Sequence, residues 1–270
     1  MLVLLKKTSR FTFVLILLCF ISNGFSQNKA TIDSLESRYL SFNLSVSEQM
    51  SVLKVLANDH PKPNRSLFYS EKLLLLAKSQ NDTENITRAL QAKGNALTNK
   101  GDLSQAIKVY TEGVDLAKEI NDIEDLGGFY ISIANVYSVL DNRSNTIFYY
   151  KKAIEVLKNT DDKLLYTTAI ENLGDEYNLN MAQPDLALYY FEESGKLWEK
   201  LGNKRGLAFN IGNKGLAYAQ LQRTEEAEIN ITKAIHLLEE VEDYYGISVY
   251  LTYMSDIYLE KGDYPAALSY

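Results

Sequence analysis

The chain has 270 residues, is 46% apolar with only four prolines, and sets 28 Lys and Arg against 35 Asp and Glu for a net charge of −7. One cysteine and two histidines rule out a disulfide scaffold and leave little for a metal centre. The acidic balance, with no basic stripe to engage phosphates, argues against nucleic acid as a partner.

The first element is a targeting segment. Lys6, Lys7 and Arg10 precede an apolar run from Phe11 to Ile21, and small residues follow at Gly24-Phe25-Ser26. This is the pattern of a secretory signal peptide over residues 1–26, cut before Gln27. The run is short against the roughly 20 residues a bilayer span needs, and an uncleaved anchor is the alternative reading. Cleavage removes the only cysteine and three basic residues, taking the net charge to about −10.

Residues 27–82 read as N-terminal helices. Thr31–Phe42 is a short amphipathic helix. Ser45 and Glu48 offer a capping box for a second, running to about Asn58. The turn His60-Pro61-Lys62-Pro63 separates it from a third over Asn64–Gln80. Residues 43–82 form a degenerate first repeat, with 31–42 packing over its open end.

From there the chain repeats. Asp82, Asp122, Asp162, Asn203 and Asp243 are spaced 40, 40, 41 and 40 residues apart, and the small residues Gly94, Ala134, Gly174, Gly215 and Ser255 keep the same spacing. Each small residue is followed three positions later by Leu97, Tyr137, Tyr177, Tyr218 or Tyr258. Then come Ala106, Thr146, Ala187, Ala227 and Ala267, and four positions on Tyr110, Tyr150, Phe191 and Ile231. Small residues let helices approach closely while large ones fill the space beside them. The Asp and Asn series are N-caps, Gly101-Asp102 and Gly262-Asp263 are a left-handed exit followed by a cap, and Pro184 and Pro265 fall in first turns. The expected fold is all-α: a right-handed α-solenoid of about five 40-residue helix–turn–helix repeats at 83–122, 123–162, 163–203, 204–243 and 244–270. The third carries one extra residue within Asn178–Asp185, and the last is truncated in its second helix, so the chain is read as the N-terminal part of a longer protein.

The pattern Leu173-Gly174, Tyr177, Ala187, Phe191 and Ser194 resembles the tetratricopeptide repeat, whose usual unit is about 34 residues. Forty residues imply longer helices, similar to the bacterial peptide-sensing branches of that family; Thr146 departs from the usual Ala. The Ser26-Gln27 junction and the run Val249–Tyr258 are similar to the exported N-terminal repeat regions of Bacteroidetes signalling proteins, in which a histidine kinase, nucleotide cyclase or helix-turn-helix output follows. The resemblance implies a periplasmic address, a protein or peptide ligand in the concave groove, and membrane attachment only through a C-terminal continuation. It implies no cofactor and no catalysis within these residues. A standalone exported scaffold is the alternative.

In the family the first helix of each unit lines the groove. The position after the small residue holds Asn95, Asn135, Asp175, Leu216 and Asp256; three before it lie Gln91, Ile131, Glu171, Gly212 and Thr252. The groove candidates are Gln91, Asn95, Asn99, Asn135, Glu171, Asp175 and Asp256, because amides offer a peptide backbone both donor and acceptor. Lysines that grip a terminal carboxylate in chaperone-type relatives are replaced here by Gln91 and Ile131. Asn95, facing the groove, is expected to tolerate truncation, whereas Gly174 and Gly215 are not expected to accept a branched side chain.

Little else carries chemistry. His60 and His236 lack ligand-spaced partners and are read as packing or surface residues. No Walker loop, Gly-x-Ser-x-Gly or His-Glu-x-x-His is present. The acid pairs Asp161-Asp162, Glu192-Glu193, Glu225-Glu226 and Glu239-Glu240 read as solvated. Most of the 19 tyrosines fall on core positions, with Tyr149, Tyr189, Tyr244 and Tyr245 left to reach the surface. An enzyme would need His60 beside a carboxylate pair in the N-terminal region.

Overall fold

The computed structural model describes residues 25–41 and 43–270. Residues 1–24 of the expected signal peptide lie outside that range. The described residues are all-α, with thirteen α-helices and no strand. The helices are α1 Phe25–Leu40, α2 Val46–Asp59, α3 Pro63–Ser79, α4 Thr83–Lys100, α5 Leu103–Glu119, α6 Ile123–Val139, α7 Arg143–Leu157, α8 Lys163–Asp175, α9 Pro184–Lys200, α10 Lys204–Gln220, α11 Thr224–Glu240, α12 Tyr244–Lys261 and α13 Tyr264–Ser269. A π-helical turn, Glu176–Asn180, extends α8. The helix expected at Thr31–Phe42 starts earlier and stops at Leu40.

The chain forms two compact units, Met1–Asn142 and Arg143–Tyr270. Within each, consecutive helices pack as antiparallel pairs, and alternate helices also touch: α2 with α4, α4 with α6, and α10 with α12. This is the α-solenoid arrangement, in which each pair buries its apolar face against the next. In the first unit, Leu53, Leu56, Tyr69 and Leu73 form one core. In the second, Ile231, Leu238, Tyr250 and Met254 belong to another.

The 40-residue period has a direct physical basis. Asp82, Asp122, Asp162, Asn203 and Asp243 each cap an inner helix by accepting from the backbone N–H three residues on, at 2.8–3.1 Å. The predicted capping box at Ser45 and Glu48 also forms. The small positions held by glycine receive the ring or branch of their own outer helix. A Cβ on Gly174 would stand 2.8 Å from Phe191, one on Gly215 2.7 Å from Ile231, and one on Gly94 would enter the Tyr110 ring.

The extra residue of the third repeat is absorbed without loss of register. Elsewhere the helix pair turns through a five-residue bond: Asp102 to Leu97, Asn142 to Tyr137, Arg223 to Tyr218 and Asp263 to Tyr258, each N–H to carbonyl. In the third repeat Gln183 N–H reaches six back, to the Tyr177 carbonyl. The added residue widens the helix into the π turn, a form often found at functional sites.

Candidate functional site

Glu171 and Asp175 stand one turn apart on α8 and are buried, at 3% and 8% exposure. Both correct the expectation of open groove residues: α9 and α10 close over them. Glu171 Oε2 accepts from Ser194 Oγ at 2.5 Å, Asn210 Nδ2 at 2.7 Å and the Trp198 indole N–H at 3.3 Å. Asn213 Nδ2 donates to Asp175 Oδ1 at 2.9 Å and lies 3.4 Å from Glu171 Oε1, so one amide bridges the two carboxylates. The Tyr250 hydroxyl lies 2.9 Å from both Asn213 Oδ1 and the Phe209 carbonyl. A polar line therefore crosses three successive inner helices, α8, α10 and α12, where an apolar seam would otherwise pack.

The electrostatics are one-sided. Burial pushes the Glu171 carboxyl up despite its four donors. Burial and then the charges of Glu171 and Glu176 hold Asp175 well above the usual carboxylate range. Two like charges in one dry site resist joint ionisation, so the pair holds on to a proton as a unit. Burial also raises Asp256 on α12. The Tyr253 hydroxyl, one turn before it, is pushed up to about 12 by burial and then by Asp175 and Asp256. Arg143 is taken by Glu176 at 2.9 Å. Among the described residues no Lys, Arg or His pairs with Glu171, Asp175 or Asp256.

The π turn adds Asn178, seven residues beyond Glu171. It is 1% exposed, its backbone carbonyl accepts from Gln220 Nε2 at 3.1 Å, and both of its amide side-chain atoms lack a partner.

In the first unit, half-buried Gln91 donates to Asn95 Oδ1 at 3.0 Å and to Ser132 Oγ at 2.9 Å. Asn95 Oδ1 also accepts from the buried Tyr110 hydroxyl at 2.7 Å. Asn95 therefore ties α4 to α5, against the expectation that it can be truncated cheaply. Asn99 is exposed, while Asn135 and Asp256 are half-buried. Asn210, Asn213, Trp198, Tyr250, Tyr253 and Asn178 were missed. Two asparagines within the Ala- and Gly-rich α10, and the lone Trp, were the available signals.

His60 is not partnerless. Its Nδ1 accepts from Lys62 N–H at 3.0 Å, so Nε2–H faces Glu36 Oε1 at 3.2 Å, and the ring needs no charge to satisfy both. Burial lowers its pKa more than Glu36 raises it. Glu36 also accepts from Arg65 and Tyr69, stitching α1 to α3. This is one carboxylate, not a pair, and the cluster holds helices together. Tyr189, Tyr244 and Tyr245 do reach the surface; Tyr149 is half-buried. No group of three or more metal-ligating side chains occurs among the described residues, and no described helix is long and apolar enough to cross a membrane.

Comparison with protein families matches the tetratricopeptide repeat at residues 87–120 and 211–237, which cover most of the α4–α5 and α10–α11 pairs. These are tetratricopeptide repeats. Solved structures share the fold. Aspartyl phosphate phosphatase F from Bacillus subtilis superposes with a TM-score of 0.69 at 16% identity, over 99% of this chain and 71% of that one. NprR in complex with its cognate peptide NprX gives 0.66 at 18% identity, over 98% and 77%. BtubC from P. vanneervenii gives 0.64 at 16% identity, over 84% and 88%. No curated protein sequence matches the chain.

Proposed function

We propose that this tetratricopeptide-repeat chain binds a peptide, or an extended segment of a partner protein, along the inner helices of its repeats. We further propose that it does so as the exported sensing or interaction region of a signalling protein. The observation that carries the binding reading is the polar line across α8, α10 and α12. Buried amides, carboxylates and tyrosine hydroxyls on successive inner helices cost desolvation, and the seam would be more stable if apolar. The line reaches the surface at the half-buried Asn213, Tyr253 and Asp256, whose amide, hydroxyl and carboxylate are suited to hydrogen-bonding an extended backbone. Two relatives by fold support it: NprR has been solved with its peptide NprX, and a Rap protein, with a TM-score of 0.59 at 12% identity, with competence and sporulation factor. The export reading rests on the basic-then-apolar pattern of residues 1–26.

Two experiments test the two parts. Immobilised full-length chain is panned against displayed random heptapeptides; the expected result is a recurring sequence that binds in solution, and repeated failure to enrich any sequence sinks the binding reading. Residues 1–40 are fused to alkaline phosphatase, which is active only where its disulfides form. Active enzyme is expected, and inactive cytosolic enzyme refutes export.

A further inference from the structure

We propose that α1 is a pH-sensitive end cap: it docks on α2 and α3 while the His60 imidazole is neutral, and mild acid loosens it.

Geometry fixes the state of the ring. His60 closes α2, and its side chain is 5% exposed. Nδ1 accepts from the Lys62 backbone N–H at 3.0 Å, a role open only to an unprotonated nitrogen. The ring proton is therefore on Nε2, which stands 3.2 Å from Glu36 Oε1 on α1. Held between these two partners, the ring cannot turn out to water. A second proton would set an Nδ1–H donor against the Lys62 N–H and cost that hydrogen bond. With α1 released, both ring nitrogens can meet water and the cost disappears.

The surrounding charges do not remove that cost. α1 presents Glu36, α2 the adjacent Asp59, the turn Lys62, and α3 both Arg65 and Tyr69, whose ring centroid lies 6.1 Å from the imidazole. Glu36 is placed to favour an imidazolium. Its Oε1, however, already accepts from Arg65 Nε at 3.0 Å, Arg65 Nη2 at 2.7 Å and the Tyr69 hydroxyl at 2.9 Å. A carboxylate countered by one cation gains less from a second. Burial outweighs its pull on His60, and Arg65 and Lys62 oppose a further positive charge.

The same residues hold α1 in place. Glu36 is its polar tie to α3. Beside it Ile32 is buried in the core with Leu53, Leu56 and Tyr69, and Tyr39 meets the Tyr69 ring edge-on at 5.8 Å. The ion pair of Arg38 with Glu48 is exposed and adds little.

The sign follows from linkage. Above the ordinary imidazole value of about 6.5, neither docked nor released His60 carries the extra proton. Below it the released form takes up a proton that the docked form resists, so docking weakens, by at most about tenfold per pH unit for one proton. Neighbouring groups do not imitate this. Burial, and then Glu36, push the Tyr69 hydroxyl up to about 12. Burial raises Glu36, but its bonds from Arg65 and Tyr69 bring it below the usual carboxylate range, so it titrates in stronger acid. Burial raises Asp59, which favours the folded form as pH falls and so acts in the opposite direction.

The test is hydrogen exchange of the full chain, read by mass spectrometry between about pH 7.5 and 5.5 and corrected for the intrinsic pH dependence of exchange. Protection of residues 31–40 should fall below about pH 6.5, by up to about tenfold per pH unit, while that of α5 stays level. His60→Gln keeps an acceptor and an N–H donor but cannot titrate, and should make residues 31–40 indifferent to pH. His236→Gln, which removes the exposed histidine, should leave the response as it is. That variant also assigns the two rings in the nitrogen-15 spectrum, where His60 should be the neutral Nε2–H form at neutral pH and titrate below about 6.5. The proposal is overturned by a His60 ring that titrates at or above that value, or by protection of residues 31–40 that holds or rises down to pH 5.5. A His60→Gln chain that keeps the wild-type response overturns it too. If that variant does not fold, the wild-type exchange profile and the ring titration decide.

Discussion

Replacing Glu171 by Gln should make the second unit more stable at pH 8, although it touches a hydrogen-bonded, fully buried residue. The amide keeps the shape of the carboxyl, and its oxygen can go on accepting from Ser194, Asn210 and Trp198. Its NH2 then lies beside Asp175, where a second acid lay before. Lost are the charge assistance in those bonds and the long 3.4 Å contact with Asn213. Removed are the desolvation of a buried charge and its repulsion with Asp175. The raised pKa of Glu171, with burial as its chief cause, means the second group of effects is larger. Relieving a buried, poorly compensated charge is worth on the order of 1–4 kcal/mol, and the charge assistance lost from the donors brings the expected gain to about 1–2 kcal/mol. An acid raised in the folded state destabilises that state above its folded pKa. The penalty vanishes as pH falls below the unfolded value of about 4.3, where both states are protonated. The variant's advantage is therefore full at pH 8 and close to zero near pH 4. Taking variant minus wild type at each pH cancels groups shifted the other way, such as the Asp82 cap. Trp198 is the chain's only tryptophan and contacts Glu171 directly, so its emission during urea unfolding reports on this unit. A variant less stable than wild type at pH 8 would mean that the donors hold the carboxylate ionised and that its charge stabilises the fold.

Other substitutions check the remaining structural reasoning. Asn95→Ala strips the close acceptor from the buried Tyr110 hydroxyl and from Gln91, and should cost about 1–3 kcal/mol in thermal or urea unfolding; a neutral result would mean water replaces it. Gly212→Ala drives a methyl into the ring of Tyr250, which its own hydrogen bonds hold in place, and should cost about 1–3 kcal/mol or more. Ala182, after the π turn, sits at φ +51°, and Ala182→Gly should stabilise by about 1 kcal/mol as measured by the unfolding midpoint. Glu171→Leu orphans the Trp198 N–H along with the Ser194 and Asn210 donors and should lower stability in urea unfolding, in contrast to Glu171→Gln.

The repeat was legible from residue order. Caps, small positions and large partners act through contacts within one unit or between neighbours, so a fixed spacing of residue types is enough to reveal them. Asp82 and its successors are local caps, Gly101 and Gly262 are local left-handed exits at φ +88° and +77°, and Gly174 meets Phe191 within its own helix pair. The extra residue of the third repeat was visible as a count, yet its resolution as a π turn was not, because that depends on the rest of α8 staying in register with α9 and α10. Which polar residues of the inner helices meet water was settled by the packing of distant segments. Asn99 and Glu171 occupy first helices alike, but one is exposed and the other lies under Ser194, Trp198, Asn210 and Asn213. Those four partners come from two other helices, 23 to 42 residues away along the chain. Burial and charge compensation are sums over such neighbours, so they cannot be read from the period of any one helix.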